Sequence, residues 1–234
     1  MRIILKKKVW NIVKYLALIK LGPFQIVGGL IWAGGLLLVG CGGLHHAPKP
    51  IINYTVNYVA EPANFKTRLA AIVKVEPFSS APGLTNLHMI YATNRLERNF
   101  YVYHQWLSPP SQMVEFALVK DLKASRGFAA VTLPGDPILA THVLAGRVTD
   151  FYEKDDNPKW YAVLGISILL IRESRGNFEK QILLEKQYHT QVVCQKKSAF
   201  AFADAMSSAV KSISNQIMHD TYQTIAGQTN PSVD

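Results

Sequence analysis

Apolar and polar positions alternate from residue 52, where Ile52, Tyr54, Val56 and Tyr58 fall between Asn53, Thr55 and Asn57. A period of two predicts a half-buried strand, because successive strand side chains point to opposite faces. Leu69–Val75 predicts a second strand. His88–Thr93 and Asn99–Tyr103 are rich in aromatic and β-branched residues and are joined by Asn94-Arg95-Leu96-Glu97-Arg98. That arrangement predicts a hairpin. The period then changes. Ser108-Pro109-Pro110 marks a helix start, Val114, Ala117, Leu118 and Leu122 recur at helical spacing, and Gly127 fits the stop.

Phe128–Thr132 predicts a short strand, and Thr141–Tyr152, Lys159–Ile171 and Phe178–Val193 predict three longer ones. Their connections, 153–158 and 174–177, are turn-like in composition. Between Trp160 and Ile171 both faces are largely apolar, the pattern of a central strand covered on two sides. The last element is a helix from Ala199 to Thr224 capped by Ser198, with Phe202, Met206, Val210, Ile213 and Ile217 as its apolar stripe. The expected fold class is mixed α/β, a sheet of six to seven strands covered by a middle helix and a long C-terminal helix. This domain spans 52–226 and is followed by a polar tail at 227–234.

The first forty residues follow other rules. Residues 1–20 carry Arg2, Lys6, Lys7, Lys8, Lys14 and Lys20 without an acid, and residues 21–40 carry no charge. A basic stretch, an apolar stretch and then small residues is the order of a signal peptide. The uncharged run approaches the roughly 20 residues a membrane helix needs, but six glycines and Pro23 weaken it as a helix. The location of these charges changes the meaning of the +9 total. Without the six leader residues, 41–234 holds 19 basic and 16 acidic residues, net +3. The basicity therefore gives no support to a nucleic-acid partner.

Leu38-Val39-Gly40-Cys41 resembles the lipobox of bacterial lipoproteins. The resemblance implies cleavage between Gly40 and Cys41 and diacylation of the Cys41 thiol. Each buried methylene contributes about 0.8 kcal/mol, so several acyl chains hold a protein where one is marginal. Gly42 would be the second residue of the mature chain. By analogy with lipoprotein sorting, a residue other than Asp there directs export to the outer membrane. Residues 41–51 contain Gly42, Gly43, Pro48 and Pro50 and form the expected tether. His45 and His46 lie on it with no further ligand cluster nearby. A lipidated Cys41 cannot pair with Cys194, which is left as a single thiol at the end of an apolar strand.

No catalytic constellation is present. Gly165-Ile166-Ser167-Ile168-Leu169 lacks the second glycine of a nucleophile elbow and lies within a predicted strand. The sequence has no phosphate-binding glycine loop ending in Lys and Ser or Thr. His88, His104, His142, His189 and His219 are scattered, and a polar turn accounts for Asp155-Asp156. A binding or assembly role is expected and not an enzyme, with no metal and no cofactor beyond the covalent lipid on Cys41.

Residues 87–131 carry the strongest family likeness. A strand at Met89–Tyr91 leads to the turn Asn94-Arg95, then to an aromatic strand at Phe100–Tyr103 and to Trp106. A proline-containing helix start, Pro109-Pro110, follows, with a helix over Val114–Leu122, then Gly127-Phe128 and Val131. In this order the segments resemble the ABC-type transport auxiliary lipoproteins, the PqiC-like family. That resemblance implies a periplasm-facing lipoprotein working with an ABC transporter and an MCE-type substrate-binding protein on lipids or other hydrophobic molecules. It also leaves room for ring-like self-association. Tyr91, Tyr101, Tyr103 and Trp106 are the candidate docking aromatics, with the hairpin core as their alternative role. The rival function is a cell-envelope assembly or structural lipoprotein without a transporter.

Overall fold

A computed structural model describes residues 49–173 and 180–229. The predicted signal peptide at 1–40, the Gly40–Cys41 cleavage site and most of the tether lie outside the described residues, as do His45 and His46.

The described chain is mixed α/β: a nine-stranded mixed sheet with two helices packed on one face. In chain order the elements are β1 (Ile52–Tyr54), β2 (Leu69–Val75), β3 (Ser79–Ser80), β4 (His88–Ala92) and β5 (Asn99–Trp106). Next come α1 (Pro110–Ser125), β6 (Phe128–Thr132), β7 (His142–Asp156), β8 (Lys159–Glu173), β9 (Lys180–Val193) and α2 (Ala199–Thr229).

β7 is the hub. One of its edges pairs antiparallel with β8 along the whole strand. Its other edge receives β2 at Val73↔His142, β3 at Ser79↔Arg147 and β4 at Tyr91↔Glu153, all parallel. β6 extends the sheet beyond β2, while β5 and then β1 extend it beyond β4. β9 lies outside β8.

The helical stripe of α2 is the centre of the core. Phe202, Met206, Val210, Ile213 and Ile217 are all fully buried, facing Ala162, Leu164, Ile166, Ile168 and Leu170 of β8 within one hydrophobic cluster. Ser198 caps the helix, its Oγ accepting from the Ala201 N–H at 3.2 Å. The cap satisfies one of the amide groups that the first turn leaves without a helical partner.

Several boundaries differ from the sequence reading, each for a physical reason. The alternation is real in burial from Tyr54 to Tyr58, while Ile52 is exposed, and only Ile52–Tyr54 pair as a strand. Beyond Tyr54 the chain leaves the sheet and crosses the helices as an extended strap, so Val56 and Tyr58 pack on the core without a strand neighbour. The β7–β8 ribbon continues to Asp156, with Glu153 through Asp156 kept in the antiparallel ladder. β8 is central in its pairing, between β7 and β9, and Val163 on its other face is also fully buried. Gly227–Thr229 continue α2 instead of opening the tail.

Gly127 is needed for a reason other than the expected helix stop. The left-handed residue that ends α1 is Arg126, at φ 54°. At Gly127 a Cβ would stand 2.5 Å from Cδ2 of Phe65. Phe65 belongs to the strap and stacks on Tyr222 of α2 at 3.8 Å, with planes 7° apart.

Candidate functional site

The hairpin β4–β5 positions the four aromatics that the sequence singles out. They do not form one surface. Trp106 is 0% exposed and packs edge-on against Phe151 (5.1 Å) and Phe202 (5.4 Å), so it belongs to the core and not to a docking face. β5 carries extra residues relative to β4 between the pairs His88↔Gln105 and Ile90↔Phe100. This bulge breaks the alternation and turns Trp106 inward, as bulges do when they re-aim side chains. Tyr103 is 43% exposed and lies beneath the Lys49 ammonium at 5.4 Å.

Tyr91 and Tyr101 are half-buried and meet edge to face at 5.3 Å. The Tyr101 hydroxyl donates to Oε2 of Glu153 at 2.8 Å. His104 continues the row, 5.8 Å from Tyr101 and 5.7 Å from Tyr54. Glu153 is a buried carboxyl inside the sheet. Burial pushes its pKa up, the Tyr101 hydrogen bond pulls it down, Asp155 raises it and Lys197 lowers it, and the net direction is upward. In sequence Glu153 opens the turn-like connection 153–158, which suggests no role for it. Its one signal was the i, i+2 spacing to Phe151 on the same face.

Cys194 lies beside this row. Burial and then the Glu153 charge push its thiol up to about 12. Such a thiol stays protonated near neutral pH and is a poor nucleophile. Among the described residues, no group of three His, Cys, Asp or Glu side chains is placed to hold a metal ion.

A second polar centre fixes the strap and carried no motif in the sequence. Asp121 of α1 is buried, and its Oδ2 accepts from the Tyr58 hydroxyl and the Ser214 hydroxyl, each at 2.5 Å. Lys120 donates to the Tyr58 carbonyl at 2.7 Å and lies over its ring. The Asn57 N–H donates to Ser207 Oγ at 3.1 Å, and Tyr222 donates to the Thr67 carbonyl at 2.6 Å. Where the strap passes α1, a groove of about 530 Å³ opens, lined by Val56, Met113, Phe116, Val119, Lys120 and Leu133 among others. Thr55, Ser108, Gln112, Glu115 and Lys123 complete its lining, so the groove mixes apolar and polar side chains.

The sheet with both helices on one face is a mixed α/β fold that solved structures share. Protein XCC0632 from Xanthomonas campestris, of the DUF330 family, matches with a TM-score of 0.69 at 17% identity, covering 76% of this chain and 98% of that one. An uncharacterized protein matches with a TM-score of 0.55 at 16% identity, covering 70% and 99%. At these identities the likeness concerns the fold. No curated protein matches the sequence. The sequence itself matches the family described as ABC-type transport auxiliary lipoprotein component over residues 54–218. The chain belongs to that family, a lipoprotein family of the cell envelope. Among the described residues, no helix is long and apolar enough to cross a membrane.

Proposed function

We propose that the protein is anchored through acylated Cys41 in the outer membrane, faces the periplasm, and serves an ABC transport system built around an MCE-type substrate-binding protein. The family match over residues 54–218 carries this reading. The Leu38–Cys41 lipobox, thirteen residues before the match begins, supports it from independent residues. The cargo is a phospholipid or a similarly hydrophobic molecule. The domain's part is to dock the partner or guide its cargo, a role supported by the family match and by the groove beside the strap.

Removing the domain while transporter levels are held constant tests this reading. Lipid traffic between the membranes should fall, and restoring the wild-type chain should recover it. Unchanged traffic contradicts the transport role.

A further inference from the structure

Three loops and the arriving chain gather at one end of the sheet. β4 and β7 run parallel, with Ala92 beside Lys154. β5 returns antiparallel to β4, and β8 and β9 alternate in direction beyond β7. The segments that follow β4, β7 and β9 therefore all leave the sheet at the same end. β1 lies parallel to β5 with Ile52 beside His104, so the chain before Ile52 leads back toward the hairpin tip.

This end concentrates basic charge. Arg95 and Arg98 sit on the hairpin tip, Lys154 and Lys159 flank the β7–β8 turn, and Lys196 and Lys197 follow β9. Lys49 leads into β1. Against these seven stand three surface acids, Glu97, Asp155 and Asp156, for a net +4. Glu153 is buried beneath them. Residues 41–234 together carry +3, so this end holds more positive charge than the whole domain does on balance. Among the described residues, Arg95, Arg98, Lys159 and Lys196 make no ion pair. Exposed apolar side chains stand among the cations: Leu96 at the tip (80% exposed), Phe200 in the first turn of α2 (66%) and Val193 (47%).

Basic residues interspersed with exposed apolar ones are the composition of a surface that binds at a bilayer interface. The chain length points the same way. Lys49 is eight residues after Cys41, so an acyl anchor on Cys41 would keep Lys49 within roughly 28 Å of the bilayer. We infer that this end of the domain is a membrane-facing surface that lies against anionic phospholipid headgroups, with Leu96 and Phe200 at the interface. The inference rests on the lipid-anchored reading of Cys41.

The test uses the full acylated chain in vesicles of phosphatidylcholine alone or with phosphatidylglycerol. A fluorophore is attached through Leu96→Cys, or through Ile138→Cys in the loop before β7 at the opposite end. Cys194 is buried and escapes labelling. With phosphatidylglycerol present, a lipid-borne quencher should reach the Leu96 probe and spare the Ile138 probe. Neutral vesicles should give less quenching. Arg95→Gln, Lys159→Gln and Lys196→Gln should each lower the docked-to-undocked ratio by about fivefold, with flotation on vesicles and thermal midpoint unchanged. A chain that floats with its Leu96 probe unquenched in both vesicle types overturns the inference and leaves the anchor intact. Equal quenching in both types, or quenching that survives the triple substitution, overturns the contact with anionic headgroups. A chain that fails to float refutes the anchor itself.

Discussion

Tyr101 on β5 donates its hydroxyl to the buried carboxylate of Glu153 on β7 at 2.8 Å, a bond that ties the β4–β5 hairpin to the hub strand. Glu153 makes the stability of the fold depend on pH. Burial raises the Glu153 pKa in the folded state, so the folded form holds this proton more tightly than the unfolded chain does. Stability should then fall as pH rises from the ordinary glutamate range, about 4.3, through the raised value. Glu153→Gln keeps an acceptor for Tyr101 and removes the titration. Thermal melts across pH 4 to 8 should show a flatter profile for this variant. An unchanged slope would place the pH dependence elsewhere.

The four hairpin aromatics should separate by burial. Trp106→Ala opens a cavity between Phe151 and Phe202 and should cost about 3–5 kcal/mol. Tyr103→Ala, at the exposed edge, should stay within about 0.5 kcal/mol. Urea unfolding of both variants checks this, and equal losses would contradict the placement of Trp106 in the core.

The strap depends on Asp121. Tyr58→Phe removes a hydrogen bond to a charged acceptor and should cost about 1.5–3 kcal/mol. Asp121→Ala strands the hydroxyls of Tyr58 and Ser214 together and should cost more than Tyr58→Phe. Amide exchange should rise over residues 55–67 in both variants before it rises in β7 or β8. Uniform exchange would mean that the strap does not open separately.

Gly127→Ala should destabilise through Phe65, not through the helix end. Its added methyl meets the Phe65 ring. Combining Gly127→Ala with Phe65→Leu should therefore cost less than the sum of the two single changes. Additive losses would indicate that the two sites are independent.

Cys194 should resist alkylation at pH 8 in the folded protein and react once unfolded, because burial and Glu153 hold its thiol up to about 12. Rapid labelling of the native chain would contradict this environment.

Local periodicity made much of the fold legible. The α2 stripe, the Ser198 cap, the hairpin and the short strand after α1 all follow from spacing and end signals that act within a few residues. What escaped was set by distant partners. Nothing near Val56 and Tyr58 indicates that helices, and not a strand, cover them. The two-residue β3 has too few positions to show a period. For Trp106 the sequence leaves both a docking and a core role open, and the bulge in β5 turns it into the core. Asp121 looks like any helical acid until Tyr58 and Ser214, 63 and 93 residues away, converge on it. The charge followed the same rule: its amount is plain in the composition, but its collection at one end depends on strand direction.

Affinity purification of the full chain from detergent-solubilised envelopes, with its co-purifying proteins identified by mass spectrometry, tests the proposed transport role most directly. An ABC permease, its ATPase and an MCE-type protein should be enriched together, and the mature N-terminus should be an acylated Cys41. Recovery of the folded chain without any transporter component would contradict the account.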